Sequence, residues 1–186
     1  MDRRKSLGLL GAGGLVLANS SFSSIASAGE IASQQEQFKG AFETRWQGMR
    51  QHTFEVFDAM PADRFEYQPT QEVMSYGVLF CHIGWSMDIY AEVLDGTPKI
   101  DKLESNDKNA VFAYLQSRFD RFEEALNAVP EENMYLKDHH FSNIEPWKNF
   151  SNFDILMLSY NHAVHHKGQA TTYLRLIGIA PPQYRF

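Results

Sequence analysis

Residues 151–182 read "SNFDILMLSYNHAVHHKGQATTYLRLIGIAPP", and the stretch carries its own start and stop signals. Ser151, with Asp154 three positions on, has the spacing of a capping box, in which two side chains satisfy the free backbone N–H groups at a helix start. Gly178 supplies the stop at the far end, and Pro181-Pro182 lies beyond it. The spacing predicts one helix from about Asn152 to Ile177.

Helical period dominates the chain before it as well. Phe38, Phe42, Trp46, Met49, Thr53, Val56 and Met60 step by three or four, which places them along one stripe of a helix that Pro61 ends. A linker with Pro69 follows. Ser75 is the expected N-cap of a second helix through "VLFCHIGWSMDIYAEVL", stopped at Asp95-Gly96. "TPKIDKLESND" reads as a loop. Val111, Leu115, Phe119, Phe122, Leu126 and Val129 mark a third helix that stops at Pro130, and residues 130–150 read as an irregular connection. No repeat, low-complexity run or alternating strand pattern interrupts this order. The expectation is an all-α four-helix bundle, because four amphipathic helices bury their stripes most simply against one another. The long third connection leaves room for a crossover.

The last helix holds three histidines in five positions. His162 and His166 are four apart, so they share a face with Cβ atoms about 6 Å apart, and both rings can turn towards one first-row metal ion at about 2.0–2.1 Å. His165 lies about 60° round the helix from His162 on the side away from His166, and points elsewhere. A third donor must come from another helix. His82 sits within the apolar run "VLFCHIGW", where an imidazole costs free energy unless it is bonded to something. Three imidazoles with no fourth protein ligand leave coordination positions open, as catalytic metals require. Against this stands the plainer reading of a solvated His162/His166 pair and a core His82 bonded to a carbonyl.

Gln169 is placed to hydrogen-bond a ligand imidazole or a metal-bound water, or simply to pack. Cys81 is turned about 100° from His82 and reads as a small buried hydrophobe. His139 and His140 are expected to be a solvated loop pair, and His52 a structural residue on the flank of the first stripe. No Glu-x-x-His pair occurs on these helices, which argues against a carboxylate-bridged di-metal bundle. No Ser-His-Asp or Cys-His arrangement is readable from spacing.

The chain has 186 residues, 44% hydrophobic and 22% charged, which suits one domain with a real core. Residues 1–28 have the form of an export signal. Arg3, Arg4 and Lys5 precede the apolar stretch Leu7 to Ala18, and "ASA" (26–28) places cleavage between Ala28 and Gly29. Twelve apolar residues are too few for a membrane span, which needs about 20, although an uncleaved bilayer anchor is the competing reading. The glycines of "GLLGAGG" follow no strand, so they do not read as a phosphate loop. The arginine pair also fits a twin-arginine signal, except for Ser6 where a bulky residue is usual; that route and the general secretory one stay open. Removing residues 1–28 takes away three basic residues and one acidic one, leaving 14 against 22, a formal charge of −8. Such a balance excludes nucleic acid as partner, and no stable membrane insertion is expected after cleavage. Cys81 is the sole cysteine, so no internal disulfide is available.

Three stretches, "MPADRFEYQPT" (60–70), "VLFCHIGWS" (78–86) and "HAVHHKGQATTYLRLIGIAPP" (162–182), resemble the DinB family of DinB/YfiT-like metalloenzymes, over about Gln34 to Pro182. The last is the most specific, joining the His-x-x-x-His pair to the Lys-Gly-Gln continuation and the "YLR…G…PP" ending. Lys167 stands where the family often has arginine, and an export signal is less usual there. The resemblance implies a bundle of up-down-down-up order and one divalent metal on His82, His162 and His166. Family members include transferases that use low-molecular-weight thiols and a thiol-dependent isomerase, a related domain supplies iron ligands in a sulfur-inserting enzyme, and many members have no assigned reaction.

The functional expectation is an exported metal-dependent enzyme acting on a small molecule, by thiol transfer or by hydrolysis. Its three histidines would hold Zn²⁺, Ni²⁺ or Fe²⁺ and lower the pKa of a bound water or thiol. A non-catalytic periplasmic metal-binding protein is the alternative, and a structural bundle with a decayed site the third reading. Homodimers are common among such bundles.

Overall fold

The computed structural model describes residues 28–98 and 102–184. Four helices follow in order: α1 (Ala28–Ala59), α2 (Tyr76–Asp95), α3 (Lys108–Asn127) and α4 (Asn152–Leu176). No strand occurs among the described residues. The expected export signal, residues 1–28, lies outside them apart from Ala28, with which α1 opens.

Paired contacts fix the helix directions. Phe57 meets Phe112 while Trp46 meets Phe122, with ring centroids 5.9 and 5.0 Å apart, so α1 and α3 are antiparallel. Gly84 lies beside Tyr114 and Asp88 beside Arg121, so α2 and α3 run the same way. Tyr76 approaches Tyr173 and Ser86 approaches His162, which makes α2 and α4 antiparallel. The order is up-down-down-up.

α2 is apolar nearly all round and lies against both α3 and α4, the behaviour expected of a helix with no polar face. The expected stripe of α1 is buried at Phe42, Trp46, Met49, Thr53, Val56 and Met60; the side chain of Phe38 is outside the described set. Val111, Leu115, Phe119 and Phe122 bury the matching face of α3. Polar anchors register the bundle. Asp88, fully buried, takes ion pairs from Arg121 at 2.6 Å and Arg118 at 3.4 Å, and Arg50 of α1 bridges to Asp120 and Glu123 of α3.

The helix ends show where local signals act. Ser151 accepts from the Asp154 N–H and Asp154 accepts from the Ser151 N–H, so the capping box at α4 is complete. Gly96 and Gly178 take positive φ, 71° and 79°, angles that a side chain disfavours. Ser75 stands at the N-cap of α2, but its hydroxyl donates to Asn106 Oδ1 at 2.7 Å and ties the helix start to the segment before α3. Asp107, not foreseen as a cap, accepts from Ala110 N–H at 2.7 Å and starts α3. α3 ends at Asn127, two residues before Val129, whose N–H turns back to Leu126 O and tightens the last turn.

Residues 130–150 form two single 3₁₀ turns, Glu131–Asn133 and Trp147–Asn149, within irregular backbone. One expectation fails here. His139 is buried rather than solvated: Phe141 N–H donates to its Nδ1 at 3.2 Å and its Nε2 lies 3.1 Å from Phe150 O. Its ring staples the connection from within, while His140 remains exposed beside Gly96. No helix among the described residues is long and apolar enough to cross a membrane.

Candidate metal centre

The antiparallel contact of α2 with α4 sets one histidine of α2 opposite two of α4. His82 Nε2 lies 3.2 Å from His162 Nε2, and the ring centroids of His82, His162 and His166 are 4.5–5.1 Å apart. One ligating atom from each of the three lies within 4.8 Å of the others, the grouping among the described residues that can hold a metal ion. Two nitrogens held at about 2.0–2.1 Å from one tetrahedral ion sit about 3.3–3.4 Å apart. The separation of His82 and His162 is close to that edge, and the third donor, from His166, lies within 4.8 Å of both, a grouping compatible with a first-row divalent ion.

Protonation states favour the same use. Burial, then the nearby His166 and Lys102, lowers the pKa of His82 to about 4. Burial, then the neighbouring His166, His82 and His165, does the same to His162, also to about 4. His166 is lowered too, chiefly by burial and against the raising effect of its hydrogen bond to Gln169. Neutral rings offer the lone pairs that metals require.

The surrounding groups orient these rings. His166 Nδ1 lies 2.8 Å from Gln169 Oε1. A carbonyl oxygen can only accept, so Nδ1 carries the proton and Nε2 keeps its lone pair. Gln169 Nε2 reaches His165 Nε2 at 3.3 Å; His165 is exposed and lies outside the three-histidine group. Ser86, one turn after His82 on the same face of α2, donates to His82 O at 2.9 Å and presents its oxygen 2.9 Å from His162 Nε2. A further turn on, Tyr90 edges His162 at 6.1 Å and packs on Trp147. Sequence reading missed Ser86 and Tyr90, although their spacing from His82, four and eight residues, was the available signal. Trp147 comes from the irregular connection, where no period exists to read.

The other histidines stand elsewhere. His52 is buried on α1, with Nε2 3.4 Å from Pro182 O and its ring edge-on to Tyr184. Cys81 is buried, with its thiol 3.8 Å from Ser105 O and its pKa raised by burial; it is not among the ligating group. Lys167, next to His166, is buried with its ammonium 5.6 Å from the Tyr184 ring centre, and burial lowers its pKa to about 8.

Solved structures that share the fold include two DinB-like proteins. One, from Bacillus cereus ATCC 10987, superposes with a TM-score of 0.63 at 18% identity, covering 77% of this chain and 95% of the other. The second, from Bacillus subtilis, gives 0.57 at 23% identity, covering 74% and 93%. No curated protein matches the chain. The family model described as the DinB family matches residues 34–186, which takes in all of α2, α3 and α4 and each of the three clustered histidines. On that match, the chain belongs to the DinB family.

Proposed function

We propose that His82, His162 and His166 hold one divalent transition metal, Zn²⁺, Ni²⁺ or Fe²⁺, and that the protein is an exported metal-dependent enzyme acting on a small molecule. The observation that carries the reading is the convergence of three imidazoles from two helices, with two Nε2 atoms 3.2 Å apart. A bound ion of this kind supplies a Lewis acid with open coordination positions. The chain's own residues do the rest. Gln169 fixes the tautomer of His166. Ser86 places a hydroxyl beside His162, within hydrogen-bond range of a group bound next to that ring. Tyr90 packs edge-on against His162 and is backed by Trp147, so that side of the site is aromatic. His82 and His162 keep part of their surface exposed, so a small reactant can approach.

The sequence of residues 1–28 supports export. The donor set serves hydrolysis and thiol transfer alike, and the lack of an obvious thiol supply outside the cytoplasm weighs against thiol transfer. The second reading, a periplasmic metal-binding protein without turnover, rests on the same donor set.

The test is elemental analysis of the full chain purified from its own export compartment, followed by a screen of the loaded protein against ester and thiol-acceptor probes. One equivalent of metal, with turnover abolished by His162→Ala, supports the enzyme. One equivalent with no rate on any probe supports the binding protein. Absence of metal from the purified protein contradicts both.

A further inference from the structure

Ser86 lies one turn after His82 on α2 and is buried, with 3% of its surface exposed. Its hydroxyl has one hydrogen and two lone pairs. The hydrogen is committed. His82 O lies 2.9 Å away, and a carbonyl oxygen comes that close to a hydroxyl only by accepting from it. In its other contact, 2.9 Å from His162 Nε2, the Ser86 oxygen therefore accepts. The donor is the His162 Nε2–H, which also faces His82 Nε2 at 3.2 Å.

That nitrogen, the one His162 turns towards His82, can hold an ion only after giving up its hydrogen. Ser86 Oγ then loses its donor, while its own hydrogen stays on the helix carbonyl. A buried acceptor left without a partner is costly. Oγ is nearer to His162 Nε2 than His82 Nε2 is, 2.9 against 3.2 Å, so it stands at the edge of a coordination shell built on these rings. A group held there that carries a hydrogen restores the lost bond. One that carries none sets lone pair against lone pair.

We infer that Ser86 is the specificity-determining residue of the histidine centre: an acceptor-only hydroxyl that admits a group bearing a hydrogen on its donor atom and disfavours one bearing none. The inference rests on the metal reading above and narrows it. The oxygen nucleophile of hydrolysis, water or hydroxide, carries a hydrogen, whereas a thiolate sulfur does not. Hydrolysis is the reaction that Ser86 favours.

The test loads the full chain with cobalt(II) and follows its visible bands as ligands are added. Azide, thiocyanate and ethanethiolate have no hydrogen on the donor atom; the anion of trifluoromethanesulfonamide keeps an N–H. Ser86→Ala removes the oxygen and Ser86→Thr retains it. Ser86→Ala is expected to bind the three hydrogen-free ligands about tenfold tighter than wild type and the sulfonamide about tenfold more weakly, the size of one buried hydrogen bond. Ser86→Thr should keep the wild-type order. Added space or a loosened helix would not shift the two ligand classes in opposite directions. Unchanged affinities in Ser86→Ala, a shift of one sign for both classes, or a folded Ser86→Thr that behaves like Ser86→Ala would overturn the proposal and leave the metal reading standing. Loss of cobalt uptake in a folded Ser86→Ala chain would do the same, since it would make the hydroxyl a ligand. A folded wild-type chain that takes up no cobalt contradicts the metal reading and the proposal together. Without any metal, nitrogen NMR of the wild-type chain should show His162 as the Nε2–H tautomer, and the Nδ1–H form would overturn the role of Ser86 as acceptor.

Discussion

His166 Nδ1 lies 2.8 Å from Gln169 Oε1, a bond that fixes which nitrogen of the ring carries the proton. The amide thus prepares His166 for coordination through Nε2 without touching the ion itself. Groups of this kind are worth about 10–100-fold in metal affinity. Gln169→Ala is expected to weaken metal binding by at least about 10-fold in competition with a chromogenic chelator, while leaving the helical circular dichroism unchanged. An unaltered affinity would show that the amide has only a packing role.

Acid should destabilise the metal-free protein. His82 and His162 have folded-state pKa values lowered to about 4, against an ordinary value of about 6.5. Between those limits the unfolded chain binds more protons than the folded one, so the unfolding free energy falls as pH falls. This contribution is complete above about pH 6.5 and disappears as pH drops through about 4. The melting temperature of the metal-free chain should fall between pH 7 and pH 4.5. The fall should be shallower in His82→Gln, which has no proton to gain at that position. Equal slopes for the two proteins would contradict the assignment of neutral buried rings.

Asp88 is the fully buried acceptor for two arginines of α3. Removing one partner of a buried pair leaves uncompensated charge and costs about 3–5 kcal/mol. Asp88→Ala should therefore lower the urea midpoint sharply. Lys102→Ala breaks the exposed pair with Glu104 and should cost less than about 1 kcal/mol. Similar losses for the two variants would mean that Asp88 does not register α2 against α3.

Gly77 lets α2 approach the chain entering α3. A Cβ there would lie 2.6 Å from Ser105 O and 2.8 Å from Asn106 Cα, both backbone atoms that cannot rotate away. Gly77→Ala is expected to cost about 1–3 kcal/mol by overcrowding, despite the better helix propensity of alanine. Equilibrium unfolding of the two proteins decides it, and a stabilised variant would refute the close approach.

Much of this was legible in the residues because period and spacing are local. The α1 stripe, the capping box of Ser151 and Asp154, and the stop at Gly178 depend on neighbours within a turn or two. The pairing of His162 with His166 is equally local, and the apolar run around His82 marked it as the odd polar group. The burial of His139 was not legible, since it depends on Phe150 O eleven residues away across an aperiodic connection. The Ser75 hydroxyl illustrates the same limit: its residue type predicted a cap, but Asn106, thirty-one residues on, is its partner. Ser86 and Tyr90 carried a usable spacing signal that becomes decisive only once α4 is known to face α2.

The central claim is most directly tested by titrating the metal-free full chain with cobalt(II) and following its visible absorption alongside calorimetry. One equivalent should saturate the chain and give the bands of a low-coordinate nitrogen site, and His82→Ala, His162→Ala and His166→Ala should each abolish that signal while retaining helical structure. Saturable binding that survives any one of the three substitutions, or no binding to the folded wild-type chain, would contradict the account.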